Sequence, residues 1–276
     1  MIDAVFSSLR VSEWINLFFL ALFLILAWLR PMAIKRRLEV AGFGAIGIGL
    51  TLAMAFYSNG APFFPATVMR DLLPAPLMLL VYWQAGRFSV TPNEWAQKRL
   101  LKLDQISIGQ ILRSTTRPGI RAWLARYLEL SYLLCYPLVP FGIGVLYLAG
   151  EPDHVDGYWT VVQASTYLCY LPLPFIQMLP PRLLLSDTEH LGPRYRLRLL
   201  NLKILKHASI QVNTFPSAHV ASTSAAALAL LWWVPAAGAA FALLALSIAG
   251  GAVLGRYHYL ADVVLGILLA LAVYFL

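Results

Sequence analysis

Charge is scarce in this chain. Only 12% of its 276 residues are Asp, Glu, Lys or Arg, while 60% are hydrophobic. A soluble domain of this length cannot hide that much apolar surface, so the composition excludes a soluble globular fold and implies repeated membrane spans. Cysteine is scarcer still. Cys135 and Cys169 both fall in apolar runs and read as buried thiols, not as a disulfide scaffold. Soluble blocks, low-complexity linkers and short-period repeats are missing. So are a Walker-type loop, a cysteine cluster and an HExxH helix, and no metal or cofactor is called for. The N-terminus has neither a basic n-region nor a cleavage site, so the first apolar run is expected to remain as a span. No basic tail alternates with aromatics, which argues against nucleic acid as a partner.

What is present is a series of apolar segments. Those at about 14–29, 38–57, 126–149, 157–179, 218–234, 236–254 and 259–276 approach or reach the length of a spanning helix. A shorter one, 72–85, carries Pro74 and Pro76 and is expected to be tilted, re-entrant or interfacial. The fold class is therefore all-α, a polytopic membrane helix bundle, in a multi-pass protein of a plasma, inner or endomembrane. Three parts are expected: N-terminal membrane helices over 1–85, an amphipathic interfacial segment over 86–125, and a membrane core over 126–276. In the second part, "TPNE" (Thr91–Glu94) reads as a capping box with proline at the first helical position. Trp95, Leu100, Leu103, Ile106 and Ile111 then alternate with Lys98, Arg99, Lys102 and Arg113, as in a helix lying in the membrane surface. "RYRLRLLNLKILKH" in the connection 180–217 has the same character.

The formal charge is +8, from 21 Lys/Arg against 13 Asp/Glu. Nineteen of the 21 basic residues lie in 30–37, 86–126, 180–217 and at Arg256, and with eight spans they share one face. The positive-inside rule makes that face cytoplasmic, and anionic headgroups are natural neighbours for it.

Two of the five histidines stand apart. His154 keeps acidic company in a short loop, and His190 and His207 lie in the basic connection, so these three read as surface residues. His219 and His258 each open a span, and span parity brings them together on the basic face. In "GRYHYLADVVLG" (255–266), His258 and Asp262 are four apart and share a helix face. The carboxylate can fix the imidazole tautomer and leave the other nitrogen as nucleophile or base. A carboxylate inside an apolar run is costly, so it marks a site unless it merely caps the helix. In "NTFPSAHVAS" (213–222), Pro216 suits a first helical turn. The N–H groups of Ser217, Ala218 and His219, with the Ser217 hydroxyl, would then form an anion cradle. His219 can carry a proton for a departing oxygen, and Arg256 offers a planar fork for a phosphate. Together these are the parts phosphoryl transfer needs.

"FPSAHVA" and "RYHYLADVVLG", 39 residues apart from His219 to His258, resemble the second and third signatures of the type-2 phosphatidic acid phosphatase superfamily. "ELSYLLCYPLVP" (129–140) and "LPPR" (179–182) resemble segments of its inositol phosphorylceramide synthase-like branch. The likeness covers about residues 125–276. It implies a six-helix core, here with about two extra N-terminal helices. It also implies a metal-independent reaction on a membrane lipid phosphate or phosphodiester. By resemblance His258 is the nucleophile that becomes a phosphohistidine, Asp262 orients it, His219 protonates the leaving group, and Ser217 and Arg256 hold the phosphate. The chain departs from the phosphatase pattern at Ala252, where a serine is usual, and lacks the first signature at the end of the 157–179 span. Arg182 stands there and takes part of that role, which fits the transferase-like branch better. Headgroup transfer to a lipid alcohol such as ceramide or an inositol lipid is the leading reading. A phosphatase using water is the alternative, and a lipid transporter that kept the fold is a third. The resemblance implies an extracytoplasmic site, where the charge count implies a cytoplasmic one.

Overall fold

A computed structural model describes residues 7–60, 64–88, 90–114, 118–185 and 196–276. Among them there are helices and one isolated β-bridge, and no strand. In chain order the α-helices are α1 (Val11–Leu29), α2 (Ile34–Gly60), α3 (Phe64–Leu72), α4 (Pro74–Ala85), α5 (Glu94–Ser114) and α6 (Pro118–Leu133). There follow α7 (Cys135–Leu148), α8 (Val155–Tyr170), α9 (Arg196–Ala208), α10 (Ala218–Trp233), α11 (Pro235–Leu254) and α12 (Leu260–Phe275). α1, residues 34–58 of α2, and α11 are long and apolar enough to cross a membrane, and α12 is a shorter apolar helix.

α10 is the hub. It packs against α11, α8, α12 and α7. Its buried positions are mostly small: Ala218, Ala221, Ser222, Ala225, Ala226 and Ala229. Between spans lipid offers no hydrophobic driving force, so small side chains that let backbones approach do the packing. Gly266 of α12 serves this purpose, since a Cβ there would sit 2.8 Å from the Ser217 carbonyl oxygen.

The sequence expectation needs three corrections. The run 126–149 is not one helix: it breaks at Leu134 with a 58° bend. Pro137 explains the break, because its ring has no N–H to offer Leu133 and crowds that carbonyl. The helix expected over 157–179 stops at Tyr170, where Pro172 and Pro174 end the α conformation and a run of turns follows. The first residue of α5 is Glu94, and its cap is Asn93, not Thr91. Asn93 Oδ1 accepts the Ala96 N–H at 3.0 Å, while the Asn93 N–H is held by the Gln177 carbonyl.

α5 lies with Trp95, Leu103 and Ile106 exposed. Its inward stripe is polar. Gln97 accepts the Leu179 N–H at 2.6 Å, and Asp104 reaches the start of α12.

The N-terminal helices are tied to the core at the end away from His219 and His258. Glu13 takes a two-pronged contact from Arg70 at 2.6 and 2.7 Å, and Arg70 also donates to Ser58. Asp71 accepts from Arg10 and from Tyr147 of α7, and the Asp71 carbonyl accepts the Trp159 indole N–H of α8 at 2.7 Å. A charge in lipid is expensive unless paired, and each of these has its partner.

Candidate active site

Two loops and two helix starts build the site. The first loop follows α11. Arg256 takes φ = 60°, a left-handed turn that non-glycine residues adopt reluctantly. The turn lets the Tyr257 and His258 N–H groups both bond the Ala252 carbonyl at 2.9 Å. α12 then starts with Asp262 in its first turn. Asp262 Oδ2 accepts the Tyr259 N–H at 3.0 Å, so this carboxylate does cap the helix. It also faces His258 Nδ1 at 3.4 Å and is fully buried. One carboxylate thus makes both contacts, to the helix start and to His258.

The second loop leads into α10. The Asn213 N–H bonds the Met178 carbonyl, forming the isolated bridge, and the Asn213 amide donates to Asp262 Oδ2. Asn213 therefore completes a chain Asn213–Asp262–His258. Ser217 is the N-cap of α10, and Pro216 lies one residue before it, outside the first turn. The expected anion cradle is correspondingly reduced. The Ser217 N–H is taken by the Asp262 carbonyl at 2.9 Å, and the Ala218 N–H by Thr214 Oγ1 at 3.1 Å.

The rings of His219 and His258 come together, 6.0 Å apart and nearly perpendicular. Tyr132 and Tyr136 meet the His219 ring edge to face. Both imidazoles line a cavity of about 450 Å³, and Arg182 lines it with them. The Arg182 N–H donates to the Arg256 carbonyl at 2.9 Å, which joins its turn to the His258 loop. Burial pushes the Arg182 pKa down, opposed by the surrounding tyrosines. A guanidinium starved of water but still charged is a strong anion ligand.

Ser217 and Arg256 are placed differently. Both are buried behind the cavity wall and are not among its lining residues. The Ser217 hydroxyl and the Nε and Nη1 of Arg256 lack a hydrogen-bond partner among the described residues. Arg256 Nη1 stands 3.9 Å from Asp104, whose other oxygen accepts the Leu260 N–H at 3.0 Å.

A second buried network backs the first. Glu129 of α6 pairs with Arg198 of α9 at 2.8 Å and accepts from Asn201 and from the Tyr257 hydroxyl at 2.6 Å. Tyr257 stacks flat on Tyr132, with ring centroids 3.9 Å apart. Sequence reasoning had passed over Asn213, Asp104 and Glu129. Asn213 opens the 213–222 stretch and Glu129 the 129–140 stretch. Asp104 and Gln97, seven apart on α5, were the hint that its inner face is polar.

Of the remaining histidines, His154 stacks on Trp233 at the far end and His207 is exposed, while His190 lies outside the described residues. Among the described residues no group of three or more His, Cys, Asp or Glu side chains converges as metal ligands would.

A family model described as the PAP2 superfamily matches residues 98–276, more than half of the chain. No curated protein and no solved structure gives a match.

Proposed function

The chain belongs to the PAP2 superfamily, and from that premise we propose that it is a metal-independent membrane phosphotransferase of the inositol phosphorylceramide synthase-like branch. Its substrates would be lipid phosphates or phosphodiesters. One observation carries the reading. Two imidazoles and a desolvated guanidinium border a single cavity, and a buried carboxylate backs one of the imidazoles.

The chemistry follows from that placement. With its proton on Nδ1, on the side of Asp262, His258 keeps the Nε2 lone pair for an in-line attack on phosphorus. The N–P bond forms as the P–O bond to the leaving group breaks. In the second half an alcohol attacks phosphorus, its proton passes to His219, and His258 is released. Arg182 neutralises the phosphoryl oxygens. Ser217 and Arg256 have donors to add from behind the wall. Water in place of the alcohol would make the protein a lipid phosphatase. The mostly apolar cavity favours the transferase, because exclusion of water lengthens the life of a phosphohistidine.

The test uses purified protein with radiolabelled lipid phosphates and inositol-linked lipids. A new phosphodiester and an acid-labile phosphoenzyme are expected, both unaffected by chelators. His258→Ala should abolish both, and His219→Ala should slow turnover by about 10²–10⁴-fold. Inorganic phosphate as the sole product would establish the phosphatase instead. Undiminished turnover in His258→Ala would end the mechanism.

A further inference from the structure

We infer that helix α4, which lies outside the family match, is the wall along which the substrate's hydrocarbon chain binds. The inference rests on the lipid-phosphate reading above and adds the element that selects the lipid. The cavity is graded. The charged and most of the polar side chains of its lining gather at the site end: Arg182, His219, His258, Asn213 and Thr214. The C-terminal end of α4 belongs to that mouth, since Tyr82 bonds Ser209 and the Trp83 indole donates to the Ala208 carbonyl. From Tyr82 the lining descends through Leu79 and Met78 to Ala75, seven residues or about 10 Å along the helix. Across from it α7 descends from Tyr136, beside His219, to Val139 and Pro140.

The hydroxyls of Thr166 and Ser222, which also line the cavity, are turned back onto the Val162 and His219 carbonyls, and those deeper positions on α4 and α7 are apolar. A headgroup alone would leave them wet, and a water-soluble substrate has nothing to put there. An amphiphile matches the gradient: phosphate between the imidazoles and Arg182, chain along α4. α4 packs mainly on α1 and α2 and α7 mainly on α10, and the cavity runs between them. Leu79 is 48% exposed although it lines the cavity, so the chain's slot is open to the bilayer side.

Two measurements on the full chain test this. In the first, kcat/KM is compared for dipalmitoyl and dioctanoyl phosphatidic acid. Leu79→Trp, at an exposed position that tolerates bulk, should reduce use of the long-chain substrate about tenfold more than the short. Ala75→Leu, deeper in the slot, should do the same. Equal effects on both substrates would overturn the inference. The second measurement needs no turnover. A phosphatidic acid with a diazirine in its chain should crosslink to residues 75–83, and excess phosphatidic acid, but not diacylglycerol, should compete. Competed crosslinks without turnover would sink the enzymatic reading and keep the wall. Turnover with crosslinks confined to outward residues such as Phe18 and Trp232 would sink the wall and keep the enzyme.

Discussion

Asp104 is a carboxylate at 1% exposure on a helix otherwise laid out for a membrane surface. Burial lifts its pKa from 3.8 to about 6, against the lowering effect of the Leu260 N–H and Arg256, and Asp262 adds to the rise. The folded value lies above the unfolded one. Its favourable contribution is therefore complete below about pH 3.8 and is lost as pH rises through about 6. Ionised, the group is a net cost to folding. Asp104→Asn should raise the melting temperature in detergent at pH 7.5, with a smaller gain at pH 5. A gain independent of pH would contradict this. Glu129 presents the opposite case. Glu129→Gln removes the buried charge that Arg198, Asn201 and Tyr257 share, a loss of about 3–5 kcal/mol, and chemical denaturation should register it. Adding Arg198→Met should recover most of the loss. No recovery would mean the pair does not act as a unit.

At the level of elements, the contact of α12 with the start of α10 sets the distance between the two imidazoles. Gly266→Ala would push a methyl to 2.8 Å from a backbone oxygen, which cannot swing aside. A destabilisation of about 1–3 kcal/mol is expected, with kcat falling more than KM rises, because His258 moves relative to His219. An unchanged kcat would show that the contact is slack. What could be read from the sequence at this scale was local. His258 and Asp262 are one turn apart, and "PSAH" announces a helix start. Partners far along the chain were not readable. Asn213 meets Asp262 across 49 residues, and Leu260 meets Asp104 across 156. The cap of α5 was missed because Thr91 and Asn93 are both good N-caps, and only the distant Gln177 carbonyl decides between them. The break in 126–149 was written in Pro137, but hydropathy alone reads straight through it.

Across the whole molecule the two ends differ in charge. Among the described residues, Arg182, Arg198 and Arg256 lie at the site end. At the other end Arg10 and Arg70 are neutralised by Asp71 and Glu13, and the 149–156 turn adds Glu151, Asp153 and Asp156. By the positive-inside rule the site end should be cytoplasmic. A cysteine at exposed His207 should react with a membrane-impermeant maleimide only after the membrane is opened. Labelling of sealed cells would place the site outside, as the family resemblance implies.

The cluster around Asp71 has one more consequence. The Trp159 indole and the Tyr147 hydroxyl belong to the stretch that the family pattern recognises, yet both find their partner in residue 71, before that stretch begins. Cut at residue 98, the remainder would lose the Asp71 partner of both donors and the α4 wall of the cavity. The recognisable part of this protein is thus not the separable part, and a search for its minimal working unit should keep Arg10, which holds Asp71, and not start near residue 98.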